Sequence, residues 1–344
     1  MTQEPRHWAS TATLEVRKAV QTSLADLQPG SVVLVGCSGG PDSLALAAAA
    51  AFVGRTLDLT VGAVIVDHQL QNGSHAVSAM AQAACLAFGL NPVLIVPVDV
   101  GTQGGPEAAA RTARYEALTA VADRLEATAV LLGHTREDQA ETVLLRLARG
   151  SGTRSISAMQ AVAGLLRRPL LTLPREVVRA SALDVCEPLD LEPWQDPHNR
   201  DPRFSRVRLR AALDELHGAL GAGLIPGLAR SAELAADDAD ALDEWAGTAF
   251  DQLVDFGQDQ LAVEVAEFVR LPVAIRTRII RRMCTDLGSS PETVTRAHVL
   301  SVDALVHSWH GQGAVSLPGR ISASREYGRL VLTTVLDAGD PVAT

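Results

Sequence analysis

The chain has 344 residues, enough for two domains, and its 47% hydrophobic residues can fill a core built from Ala, Val, Leu and Ile, because aromatic residues make up only 3%. A net charge of −10 excludes a protein that coats nucleic acid indiscriminately, though not one with a local basic surface. No apolar run reaches the length of a membrane span, and MTQEPRHWASTATLEVRKAV carries charges where a signal peptide needs an apolar segment, so a soluble cytoplasmic protein is expected.

In chain order, a helical segment is expected within residues 1–30, followed by an α/β region over 31–215. SVVLVGC (Ser31 to Cys37) is a β-branched apolar run of the kind that forms a strand buried on both faces. LTVGAVIVDH (Leu59 to His68), NPVLIVPVDV (Asn91 to Val100) and ATAVLLGH (Ala127 to His134) repeat it. Helical stretches lie between them at Ser43 to Val53, Ser74 to Phe88 and Pro106 to Leu125. This alternation predicts a doubly wound, mostly parallel α/β sheet. Ligands of such sheets bind beyond the C-terminal strand ends, and Ser38 with Gly39, Asp67 with His68, and Gly133 with His134 all fall on that rim.

After Gly150 the alternation weakens. Arg167 to Leu183 reads as a short strand, a turn and a helix, and Ile225 to Leu253 as a long amphipathic helix within a connector spanning 216–255. A small α+β domain is expected over 256–340, with helices around Val273 to Leu287 and Thr295 to Trp309 before some short strands. The cysteines Cys37, Cys85, Cys186 and Cys284 are scattered without a CxxC pair, which argues against a disulfide framework or a zinc knuckle. The pattern sets no oligomeric state.

Ser38-Gly39-Gly40-Pro41-Asp42-Ser43, between a buried strand and a helix, has the makings of a backbone anion site. Glycines let amide groups approach phosphate oxygens, the hydroxyls of Ser38 and Ser43 add donors, and Pro41 suits a first helical turn. Walker-type loops carry a lysine where Asp42 stands, so γ-phosphoryl transfer of that kind is not expected. An acid beside phosphates is tolerable where it holds a metal ion or a cationic substrate. Arg111 and Arg114, three apart on one helix, share a face, and such a pair can grip phosphate oxygens. His134 and Asp138 are four apart across a strand–helix junction; read alone, they are a helix cap with a neighbouring histidine. Arg200, Arg203, Arg206, Arg208 and Arg210 lie against the single acid Asp201, a basic strip suited to a nucleic-acid backbone. Phe204, Tyr115 and Trp194 are among the few side chains able to stack on an unpaired base.

The S-G-G-x-D-S loop after a strand resembles the PP-loop of the ATP pyrophosphatases. VDHQLQNGS, EAAARTARYEAL, LLGHTREDQAETVLLRLARGSG and DPHNRDPRFSRVRLR, in that order, are together similar to the tRNA(Ile)-lysidine synthetase family. Gln71 and Val207 differ from the residues usual in that family. The resemblance implies an ATP-dependent ligase that adenylates carbon-2 of the wobble cytidine of an isoleucine tRNA with a CAU anticodon. Free L-lysine then displaces AMP. It implies ATP contacts for Ser38 to Ser43, Asp67, His68 and Gly133, and catalytic roles for Asp42, Arg111, Arg114, His134 and Asp138. It further implies Mg²⁺ at Asp42 and Asp138, tRNA contacts at Arg203, Arg206, Arg208 and Arg210, and a C-terminal domain that recognises tRNA. Two alternatives stand beside it: another PP-loop enzyme such as a tRNA thiolase, and a non-catalytic ATP-binding module.

Overall fold

A computed structural model of the chain describes residues 9–69, 73–101, 105–150, 152–197 and 201–335. Two compact units emerge, Met1–Ala236 and Asp237–Thr344. The first begins with α1 (Thr11–Leu24), then β1 (Val32–Gly36), α2 (Pro41–Leu57), β2 (Thr60–Asp67), α3 (Ser74–Phe88), β3 (Val93–Pro97), α4 (Pro106–Arg124) and β4 (Ala129–Leu132). It continues through α5 (Arg136–Ala148), α6 (Thr153–Ile156), β5 (Val162–Ala163), β6 (Leu166–Arg167), α7 (Arg175–Cys186) and α8 (Ser205–Leu220). The division between the units falls within α9 (Leu224–Leu253).

The expected doubly wound sheet is present, with strand order β3-β2-β1-β4-β6-β5. All neighbours are parallel except β5, which runs antiparallel to β6. Because strand side chains alternate, one apolar run feeds two cores. Val33, Val35, Ala63, Ile65, Ala129 and Leu131 pack into the larger core with residues of α1, α2, α3 and α7. Leu34, Val64, Val130 and Leu132 point the other way, against Leu118, Val121 and Ala122 of α4. The N-terminal helix is part of this packing, with Val16, Val20 and Leu24 fully buried. β2 and β3 extend the sheet to one side of β1 and β4 opens the other, so the topological switch lies between β1 and β4.

The second unit holds β7 (Val254–Gly257), β8 (Gln260–Glu264), α10 (Val265–Phe268), α11 (Val273–Asp286), α12 (Arg296–His307), β9 (Val315–Leu317), β10 (Ile321–Glu326) and β11 (Arg329–Thr334). Its strands form an antiparallel sheet in the order β7-β8-β11-β10-β9. Ile275, Ile279, Ile280 and Met283 of α11 and Val299, Val302 and Leu305 of α12 share a core with Leu261, Val263, Leu330 and Leu332 of the sheet. The β7–β8 hairpin was not expected: three of the four β7 residues are exposed, so no apolar run announces it. Among the described residues no helix is long and apolar enough to cross a membrane.

Candidate active site at the rim of the parallel sheet

The glycine–serine loop closes over the end of β1 by bonds within itself. Ser43 Oγ donates to the Gly40 carbonyl at 2.9 Å and accepts the Ser38 N–H at 3.1 Å. Ser43 is therefore a brace of the loop, only 7% exposed. Ser38 is exposed, with its Oγ 3.3 Å from Ser43 Oγ. Gly39 has φ +78°, and a Cβ there would meet Ala81 Cβ of α3 at 3.2 Å, so both conformation and space demand glycine. Gly40 caps α2 in an extended conformation and Pro41 opens the helix, which starts two residues before the expected Ser43. Gly133 works by packing: a Cβ there would come within 3.0 Å of the Asp42 carbonyl oxygen, so glycine lets the end of β4 close against the loop.

Beside the loop lies a cavity of about 280 Å³. Ser38, Asp67, His68 and Arg114 line it, as do Trp194 and Asp196 from the connection between α7 and α8. Asp67 is 5% exposed, and its Oδ1 accepts the N–H of Gln69 at 3.0 Å. Burial, reinforced by the Arg114 charge, lowers the pKa of His68 and drives that of His134 down to about 3. Both rings are thus neutral at pH 7, and the Nδ1 of each is buried without a hydrogen-bond partner. Arg114 is the cation of this pocket. Arg111 is not among the lining residues: exposed one turn earlier, it donates to Tyr115 Oη at 3.1 Å with its guanidinium over the Tyr115 ring. The shared face expected for the two arginines therefore brings only Arg114 to the cavity.

A second set of charges gathers at the start of α5. The Thr135 N–H and hydroxyl both donate to Asp138 Oδ2, at 2.8 and 2.9 Å, completing a capping box. Asp138 Oδ1 takes a 2.7 Å bond from Arg175 of α7, which also reaches Glu141 Oε1 at 3.2 Å. Arg210 of α8 donates to the same Glu141 oxygen at 2.7 Å. Burial pushes the Asp138 pKa up, but Arg175, the Thr135 bonds and His134 outweigh it and hold it below the ordinary carboxylate range. Asp42 is treated in the opposite way. Burial first, and then the Asp138 charge, push its pKa up to about 6 against the pull of Arg175, Arg179 and Arg210. Asp42 Oδ1 and Glu141 Oε2 are buried with no partner.

These contacts test the fit of Mg²⁺. No cluster of three or more metal-type side chains exists among the described residues. Mg²⁺ does not need one, since it takes one or two carboxylates and completes its shell with phosphate oxygens and water. The open Oδ1 of Asp42 suits that role. Asp138 suits it less, because both its oxygens are already engaged.

The arginine segment does not form one open strip. Arg200 and Gln71 lie outside the described residues. Arg203 pairs with Asp201, Arg206 with Glu107 of α4 at 3.1 Å, and Arg208 donates to the carbonyls of Pro202 and Arg203. Arg210, expected to face tRNA, turns toward the carboxylate cluster. The reason is helical geometry: Arg206 and Arg210, four apart on α8, share a face, and that face meets acids of its own unit. Arg175 was not foreseen; nothing local marks the first residue of α7 as the bridge between two acids more than thirty positions upstream.

Residues 12–216 match the family of the PP-loop domain, and residues 264–331 match the TilS substrate binding domain. A tRNA(Ile)-lysidine synthase of Thermobifida fusca is 50% identical over 319 residues, covering 92% of this chain and 96% of that protein. One from Streptomyces coelicolor is 48% identical over 310 residues, covering 89% and 86%. Among solved structures, a U34-tRNA thiolase from Methanococcus maripaludis is similar with a TM-score of 0.54 at 20% identity, over 66% of this chain and 80% of that one. That likeness speaks for the fold alone.

Proposed function

The chain belongs to the tRNA(Ile)-lysidine synthase family, and from that premise we propose that it ligates L-lysine to carbon-2 of the wobble cytidine of an isoleucine tRNA with a CAU anticodon, consuming ATP. The base is first adenylated with release of pyrophosphate, and an amine of lysine then displaces AMP. One observation carries the reading: a phosphate-type loop and a buried, partly unsatisfied acid cluster meet on one rim, at the switch between β1 and β4.

The loop backbone and Ser38 hold the phosphates of ATP, and Asp67 and His68 border its nucleoside end. Arg114 faces the charge that develops on phosphorus oxygens, where a fixed cation desolvated by burial acts strongly. Neutral His134 offers a hydrogen bond, not a charge. Asp42 would hold Mg²⁺, which would supply positive charge against the pyrophosphate. Asp138 and Glu141 receive the ammonium of lysine, with Arg175 and Arg210 keeping the acids ionised and oriented. Residues 31–215 then carry the chemistry, 216–255 connect, and 256–340 recognise tRNA together with Arg203, Arg206 and Arg208. On this reading the protein works in the cytoplasm, where tRNA, lysine and ATP meet. The thiolase alternative would need reactive cysteines, whereas all four are free and buried.

The test uses purified protein, ATP, Mg²⁺ and labelled lysine with the CAU isoleucine tRNA set against methionine tRNAs. Label is expected in the isoleucine tRNA alone, with AMP and pyrophosphate in equal amounts. Pyrophosphate without label would transfer the reading to another nucleophile; no turnover would leave an ATP-binding module.

A further inference from the structure

Trp194 has no part in that assignment, yet the structure sets it against the phosphate loop. Its backbone N–H donates to the Gly39 carbonyl at 2.9 Å, and its Cβ lies 3.9 Å from where a Cβ on Gly39 would stand. The residue is partly exposed and, among the described residues, is the only Phe, Tyr or Trp lining the cavity. The rest of the wall, apart from Asp196, comes from β1, β2, α3, α4 and the turns after the strands. Trp194 arrives instead on the stretch of chain that runs on into the arginine segment.

Position separates the two nucleobases within reach of an indole here. A nucleotide whose phosphates rest on Ser38 to Ser43 points its base away from the loop, toward the end of β2, where Val66, Asp67 and His68 line the cavity. Trp194 is anchored through its backbone N–H and its Cβ at Gly39, the phosphate end of the cavity. The base that must come to that end is the acceptor, since its oxygen has to reach the α-phosphorus. Unpaired bases of RNA are held by stacking on aromatic faces, and the chain has few to offer.

Resting on the function proposed above, we propose that Trp194 is the platform on which the target cytosine stacks, turned so that its O2 faces the α-phosphorus of ATP. As the new P–O bond forms, the bond to the bridging oxygen breaks and pyrophosphate leaves with the electron pair. Trp194 exchanges no proton in this step; it fixes the angle and distance of approach.

Full-length Trp194→Phe and Trp194→Ala variants test the assignment through pyrophosphate release with the CAU isoleucine tRNA, alongside ATP affinity measured without tRNA. The Ala variant is expected to lose roughly ten- to hundredfold in kcat/KM for tRNA, the range of one lost base stack. Phe should remain within about threefold of the parent, and ATP affinity within about twofold in both. In a second readout, a fluorescent cytidine analogue at the wobble position should be quenched by the parent protein and not by Trp194→Leu. Undiminished turnover in the Ala variant, a matching loss of ATP affinity, or a Phe variant as poor as Ala would each overturn the assignment. A parent protein that releases no pyrophosphate with this tRNA would instead overturn the functional reading beneath it.

Discussion

Arg276 and Asp303 in the second unit, and Asp42 and Glu141 in the first, are charges taken out of water, and they are treated differently. Arg276 donates to both oxygens of Asp303, at 2.7 and 3.0 Å, and gives its remaining nitrogen to the Leu271 carbonyl. His307 Nδ1 lies 3.2 Å from the same carboxylate. Asp42 and Glu141 each keep a buried oxygen with no partner. A bonded network rigidifies the packing between α11 and α12, whereas an open carboxylate oxygen costs free energy unless something arrives to fill it. The contrast separates buried charge whose bonds are closed within the fold from buried charge left with an unpartnered oxygen.

The largest expected effect breaks that contrast at Asp42. Asp42→Asn removes the charge while keeping the shape, and lysidine formation should fall by roughly a hundred- to thousandfold, the scale of a lost electrostatic group. The fold should become more stable. The Asp42 pKa is raised from 3.8 to about 6, so the folded state binds more protons than the unfolded chain between those values. Stability therefore rises as pH falls through 6, and at neutral pH the ionised group is a penalty of roughly 1–3 kcal/mol that Asn removes. Denaturant unfolding at pH 7.5 and pH 4.5 should show the gain at the first and little of it at the second. The pH profile of kcat/KM in the parent should lose activity below an apparent pKa of about 6. A stable variant with normal turnover would return Asp42 to the closed class.

The second unit should respond in the opposite sense. Asp303→Ala leaves Arg276 charged, 8% exposed and without its carboxylate, which costs about 3–5 kcal/mol when a buried pair loses one member. Hydrogen exchange in α11 and α12 should accelerate. The paired change Arg276→Met with Asp303→Leu should restore most of the loss, because it leaves no orphan charge. A single variant as stable as the parent would show that solvent reaches the pair.

Much of this was legible in the sequence. Four apolar runs gave the strands, and α3 spans the expected Ser74 to Phe88. The loop could be read because its glycines, proline and acid act locally, within one strand–turn–helix. The carboxylate cluster could not. It joins Asp138 and Glu141 to Arg175 and Arg210, which meet only through the packing of α7 and α8 beside α5. Asp138 illustrates the difficulty: the bland reading as a helix cap and the functional one both describe it, since one oxygen caps α5 and the other meets Arg175. Arginines two apart looked like a strip because the start of α8 at Ser205 was not placed; on a helix they turn to different sides.

That segment allows the finest test. Arg203 and Arg210 are seven residues apart, yet the Arg203 side chain is 84% exposed and that of Arg210 is 32% exposed. Arg203 pairs with Asp201, a surface pairing of the kind that adds little, so Arg203→Ala should leave the melting temperature unchanged. If Arg203 meets a tRNA phosphate, its loss should reduce the slope of log affinity against log salt concentration by about one. Arg210→Ala should leave that slope alone and raise KM for lysine instead, because it strips Glu141 of its 2.7 Å partner. The opposite result, with the slope following Arg210 and not Arg203, would mean that tRNA draws Arg210 out of the cluster. Glu141 would then be released for the lysine ammonium only after tRNA has bound, and the two substrates would bind in a fixed order.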